Sequence, residues 1–103
     1  MNTEELLETK MLLIELKKLL EMYGDSSINI QYKIVESTIS IIDSDIHIEE
    51  KSRLVINNYK NLYPARGGLS DFYIKSDNYK ERLELNEPLD KISDSLWNIF
   101  KNY

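Results

Sequence analysis

The chain has 103 residues, enough for one domain, with 42% apolar residues, 30% charged residues and a net charge of −5. It contains no cysteine, which excludes disulfides, thiolate metal sites and cysteine nucleophiles. It also lacks a long uncharged apolar run of the kind that spans a bilayer, and its acidic start, MNTEELLETK, differs from the positively charged start of a signal peptide, so a cytoplasmic protein is expected.

The charge is unevenly distributed. Residues 1–50 carry eleven acids against four lysines, a balance of −7, whereas residues 51–103 carry seven acids against nine Lys and Arg, a balance of +2. An acidic half argues against nucleic acid as the ligand, because neutralising phosphates dominates that binding. It suits a basic protein partner, although acids also serve solubility alone. The abundance of Ile, Asn, Lys and Tyr suggests an AT-rich bacterial or phage genome.

The first helix is predicted to start with Thr3 as N-cap and Glu4 and Glu5 at the positive end of its dipole. Leu6, Leu7, Met11, Ile14, Leu20 and Tyr23 mostly keep helical spacing, and Leu12, Leu13, Leu16 and Leu19 widen the stripe, so much of the circumference is expected to be buried. Gly24 reads as the stop, and Asp25-Ser26-Ser27 as a turn with a new cap. From Ile28 to Ile42, the residues Ile28, Tyr32, Val35, Ile39 and Ile42 form a heptad-like seam that favours a helix. The β-branched run Thr38–Ile42 leaves a strand as the alternative.

Asp43, Asp45 and His47 alternate in the manner of a metal-binding loop. A calcium loop, however, needs Gly at its sixth position and Glu at its twelfth, where this chain has Ile48 and Leu54. The single His offers no second imidazole for zinc. The segment reads better as a turn capped by Asp45, with Glu49 and Glu50 in the first turn of a third helix running from His47 to Leu62. Asp43, Asp45, Glu49 and Glu50 together form a candidate acidic patch for a basic partner.

Tyr63 to Ile74, YPARGGLSDFYI, is the one stretch dense in turn chemistry. Pro64 stops the preceding helix, and Gly67 and Gly68 permit positive φ or close approach. Leu69, Phe72, Tyr73 and Ile74 are too apolar for a solvated loop, so the loop is expected to pack on one end of the helices. Ser70 or Asp71 suits the cap of a short turn. Arg66 either staples to Asp71 or to helix-ending carbonyls, or faces a ligand with its planar fork. The spacing matches neither GxGxxG nor GxxxxGK[ST]. Beyond the loop, a short helix from Asn78 to Leu85 and a last helix from Glu87 to Lys101 are predicted, with Asn86 capping the second and Trp97 as a core anchor.

No serine sits in a nucleophile elbow, and His47, at a helix start with no evident nucleophile or orienting partner, reads as a surface or capping residue. A small helical nuclease would need an Arg several residues before a His on one helix; here the first Arg is 53, after the only His. Pro64, Arg66 to Leu69, Asp71 to Ile74 and Asn86 to Leu89 resemble the C-terminal half of a group of small bacterial proteins with a PxRGGLxDFYI…NEPL pattern. That group is similar in size and character to immunity proteins of polymorphic toxin systems.

The expected protein is therefore an all-α bundle of four to six helices with antiparallel neighbours. Its expected role is non-catalytic binding, as an immunity protein that covers the active site of a basic, nuclease-type toxin. Arg66, Asp71 and Tyr73 form the second candidate patch. No cofactor or metal is implied. A small ligand-binding or enzymatic domain using the Arg66/Asp71 loop is the alternative, and a homodimer through a helical seam a third reading.

Overall fold

In the computed structural model, which describes residues 1–103, the periodicity is realised as four α-helices, with no β-strand. They are α1 (Thr3–Tyr23), α2 (Asn29–Asp43), α3 (Ile48–Leu62) and α4 (Tyr79–Phe100). Short 3-10 turns at Ser26–Ile28 and Gly68–Asp71 punctuate the connections.

Asn2, not Thr3, caps α1. Its side-chain oxygen accepts the Glu5 N–H at 2.8 Å, and the Glu5 carboxylate accepts the Asn2 N–H at 3.0 Å. This reciprocal capping box satisfies two of the orphan donors at the helix start, which a cap at Thr3 would not reproduce. The buried stripe of α1 is Leu6, Thr9, Leu13, Leu16 and Leu20. Leu7 and Met11 stay 55% and 60% exposed, so burial is narrower than the leucine content suggests. The reason is that α1 packs against α2 on one flank and α4 on the other, which leaves an outer strip uncovered. Thr9 enters the core because its hydroxyl donates to the Glu5 carbonyl at 2.7 Å.

Gly24 ends α1 in extended backbone, φ −74° and ψ 156°, so its glycine is not required for a left-handed cap. Space requires it: a Cβ there would lie 2.5 Å from the Leu20 carbonyl oxygen and 2.7 Å from Ile28 Cδ1. Asp25 then accepts the Ser27 N–H and hydroxyl and starts the turn into α2.

The Thr38–Ile42 run is helical. Its seam lies between α1 and α3, with Val35 and Thr38 buried, and that two-sided packing outweighs the β preference of the branched residues. Thr38 donates to the Ile34 carbonyl at 2.7 Å and accepts from Asn58 of α3 at 3.0 Å. The carbonyls at the end of α2 are taken up by Lys51, whose Nζ reaches Ile42 O at 2.9 Å and Ser44 O at 2.7 Å.

His47, not Asp45, caps α3, with Nδ1 accepting the Glu49 N–H at 3.3 Å. α4 is one helix where two are expected. Pro88 lies inside it, and Glu84, whose carbonyl loses its helical donor there, and Pro88 are both exposed, so water can replace that bond. Asn86 is accordingly not a cap. Leu89, Ile92, Leu96, Ile99 and Phe100 face inward, and Trp97 is 57% exposed rather than a core anchor. One residue turns a helix by about 100°, so with Leu96 at the centre of the buried face Trp97 projects from its side.

Lys10–Asp43 (2.6 Å), Lys17–Glu36 (3.6 Å) and Tyr103–Glu5 (2.7 Å) fix α1 antiparallel to α2 and to α4. The helices thus run up-down-up-down in a bundle 47 × 25 × 23 Å. Aromatic rings join α3 to α4: Tyr59 stacks on Phe100 at 4.2 Å and 5°.

Candidate functional site

The two candidate patches lie at opposite ends of this bundle. Asp43, Asp45, Glu49 and Glu50 surround the α2–α3 turn, beside the start of α1. All four are exposed, but Lys10 pairs with Asp43, and Arg53 binds Glu50 one turn along its own helix. Arg53 holds the Glu50 carboxyl below its usual range. Asp45 and Glu49 keep no ionic partner in the chain. His47 is committed to capping, and no group of three or more His, Asp or Glu side chains converges in a way that could hold a metal ion.

The other end is built by the loop after α3. Gly67 (φ 77°) and Gly68 (φ 57°) both occupy the left-handed side of backbone space. Gly68 is needed twice over, since a Cβ would also lie 2.8 Å from the Leu62 carbonyl oxygen and from Pro64 Cδ. This turn places Leu69, 5% exposed, in the core. Ser70 donates to the Pro64 carbonyl at 2.7 Å. Asp71 accepts the Gly67 N–H at 2.8 Å. The carboxylate thus ties the loop through its own backbone, and the Arg66–Asp71 staple does not form. Arg66 is exposed and makes no hydrogen bond or ion pair within the chain.

Next comes an irregular segment from Phe72 to Asp77. Asn86 of α4 clamps it: Oδ1 accepts the Ile74 N–H at 2.7 Å, while Nδ2 donates to the carbonyls of Ile74 and Arg82, each at 2.8 Å. A side-chain amide here pairs both backbone groups of one residue, as a neighbouring strand would. The clamp orients the segment so that Ile74 is buried while Tyr73 is 55% exposed.

Between this segment and the α1–α2 corner lies an open groove of about 680 Å³. Met22, Tyr23 and Ile28 form one wall, Phe72, Tyr73 and Ile74 the other. Asp25, Asp71 and Lys75 line it as well. The side-chain hydrogen bond from Ser27, its backbone N–H and nearby Lys75 hold the Asp25 carboxyl below its usual range. Of the residues singled out from sequence, Asp71 and Tyr73 line this groove and Arg66 adjoins it. Met22, Tyr23, Asp25 and Lys75 were not singled out; the surplus apolar residues at the end of α1 were the available signal.

Two buried polar atoms, Tyr63 Oη and Gln31 Oε1, have no partner. Burial, and then the neighbouring Tyr59, push the Tyr63 phenol far above its usual range. Comparison with protein-family models, curated proteins and solved structures found no match.

Proposed function

We propose that this chain is a non-catalytic binding protein that engages a partner protein through its Gly-Gly end, in the manner of an immunity protein covering the active site of a basic, nuclease-type toxin. The observation that carries the reading is the exposure of Met22, Tyr23 and Tyr73 around one groove at a bundle end. Tyr and Met are enriched at interface cores, where their apolar bodies are desolvated by the partner. The exposed carboxylates Asp25 and Asp71 and the net charge of −5 favour a basic partner and would stand where its phosphate ligands bind. Of the two candidate patches this one is preferred for its exposed Met22, Tyr23 and Tyr73; charge does not separate the ends, since Lys10 and Arg53 leave Asp45 and Glu49 unpaired at one and Lys75 lies near Asp25 at the other.

The test is co-expression with the product of the adjacent gene, read by size-exclusion chromatography with light scattering. A stable heterodimer, with the neighbour toxic when expressed alone and harmless beside this chain, supports the reading. A monomer that leaves the neighbour's toxicity unchanged refutes it.

A further inference from the structure

The geometry points to a more specific mode: the groove accepts an extended, basic peptide segment of the partner by strand addition to the backbone of residues 72–76. This rests on the proposed function for its partner, but its evidence is separate. Phe72 is extended, at φ −84° and ψ 132°. Ile74 presents its N–H and C=O together to the single amide of Asn86, which only extended backbone allows. Along extended backbone, successive residues point their hydrogen-bonding groups to opposite sides. With Ile74 turned toward α4, the N–H and C=O of Tyr73 and Lys75 turn away from it, and neither residue makes a backbone hydrogen bond within the chain. The chain therefore carries a one-sided strand edge, closed by Asn86 on one side and open on the other, a template that exposed edges offer to extended peptides.

What lies beside that edge identifies the occupant. Met22, Tyr23 and Phe72 supply apolar contacts for alternate side chains of an added strand. Asp25 and Asp71 supply exposed negative charge for Lys or Arg at the intervening positions, against the single positive charge that Lys75 adds to the lining. The fitting segment alternates aliphatic and basic residues. An acidic segment would meet both carboxylates.

The probe is the capped peptide acetyl-Val-Lys-Val-Lys-Val-amide, titrated into the ¹⁵N-labelled full chain. The amides of Tyr73 and Lys75 are expected to shift and to exchange with solvent at least tenfold more slowly, while the Ile74 amide, already held by Asn86, changes little. Lys75→Pro removes one donor without touching the Asn86 clamp and should weaken binding about tenfold, the scale of one lost hydrogen bond. Lys75→Ala, which keeps the N–H, should bind within about threefold of the parent, and a Val-Glu peptide should bind more weakly. Thermal melts of both variants should match the parent. The assignment is overturned by no shift at millimolar peptide, by shifts that Lys75→Pro leaves unchanged, or by concentration-dependent self-association through this edge without peptide. A heterodimer with the toxic neighbour that Lys75→Pro does not weaken sinks strand addition and keeps the proposed function. Peptide binding without any toxic neighbour does the reverse.

Discussion

Asn86→Ala removes the one side chain that fastens the Phe72–Asp77 segment to α4. Three hydrogen bonds disappear. The two to Ile74 are the structural ones; the one to the Arg82 carbonyl lies within the helix. A net bond contributes about 1 kcal/mol, and the freed groups of Ile74 are partly buried, which adds to the loss. Alanine returns roughly 0.5 kcal/mol of helix propensity. The expected destabilisation is about 2 kcal/mol, which for a domain of this size lowers Tm by about 10 °C. Urea unfolding followed by circular dichroism checks it, with an unchanged m-value. Asn86→Asp keeps the acceptor for the Ile74 N–H but sets a carboxylate oxygen against the carbonyls of Ile74 and Arg82, so it should lose at least as much as Ala. A loss below about 0.5 kcal/mol for Asn86→Ala would mean that the clamp does not hold the segment, and the strand edge described above would lose its basis.

Gly67→Ala should cost about 1–3 kcal/mol through backbone strain alone, since no atom lies within 4 Å of the added Cβ. Gly68→Ala should cost more, because its Cβ also meets the Leu62 carbonyl; the reverse order in urea unfolding would contradict the loop geometry. Tyr63→Phe deletes a buried hydroxyl with no partner and should stabilise the fold by about 1 kcal/mol. Because folding raises the phenols of Tyr63 and Tyr59 above their ordinary 10.0, their contribution is complete below pH 10 and is lost as pH rises beyond it; Tyr63→Phe should extend the alkaline limb of a stability–pH curve. Glu5, Asp25 and Glu50 show the opposite sign: the backbone N–H of Asn2, the Ser27 hydroxyl and Arg53 respectively lower their carboxyls, so stability present above the ordinary values of 4.5 and 3.8 should fall as pH drops through the folded-state values. Trp97, the only tryptophan, should emit at long wavelength in the native state and be quenched by acrylamide, and Trp97→Ala should change stability by less than about 1 kcal/mol.

The helices were legible because their signals are local. The four-three spacing of Ile28, Tyr32, Val35, Ile39 and Ile42 predicts α2 despite its branched residues, and Pro64 marks the end of α3. Caps were less legible because neighbours compete for the same role. Asn2 displaces Thr3 through its exchange with Glu5, and His47 takes the position expected for Asp45. Asn86-Glu87-Pro88 reads as a helix start, since Asn suits a cap and Pro a first turn. Continuity through Pro88 and the capture of Ile74 by Asn86 depend on a segment twelve residues away, which no local pattern reports. The same holds for the site. The glycines and Asp71 announced an unusual loop, but its opposing wall, Met22, Tyr23 and Asp25, comes from the other half of the chain. Trp97 was misplaced because aromatic content predicts burial, whereas helical phase decides it.

The most direct test of partner binding at the Gly-Gly end is hydrogen–deuterium exchange of the chain alone and in complex with the co-expressed neighbour. Slowed exchange across residues 67–76 and 22–28, with residues 43–50 unchanged, is the predicted result. Protection confined to the Asp43–Glu50 end, with the groove segments exchanging as in the free chain, would contradict it.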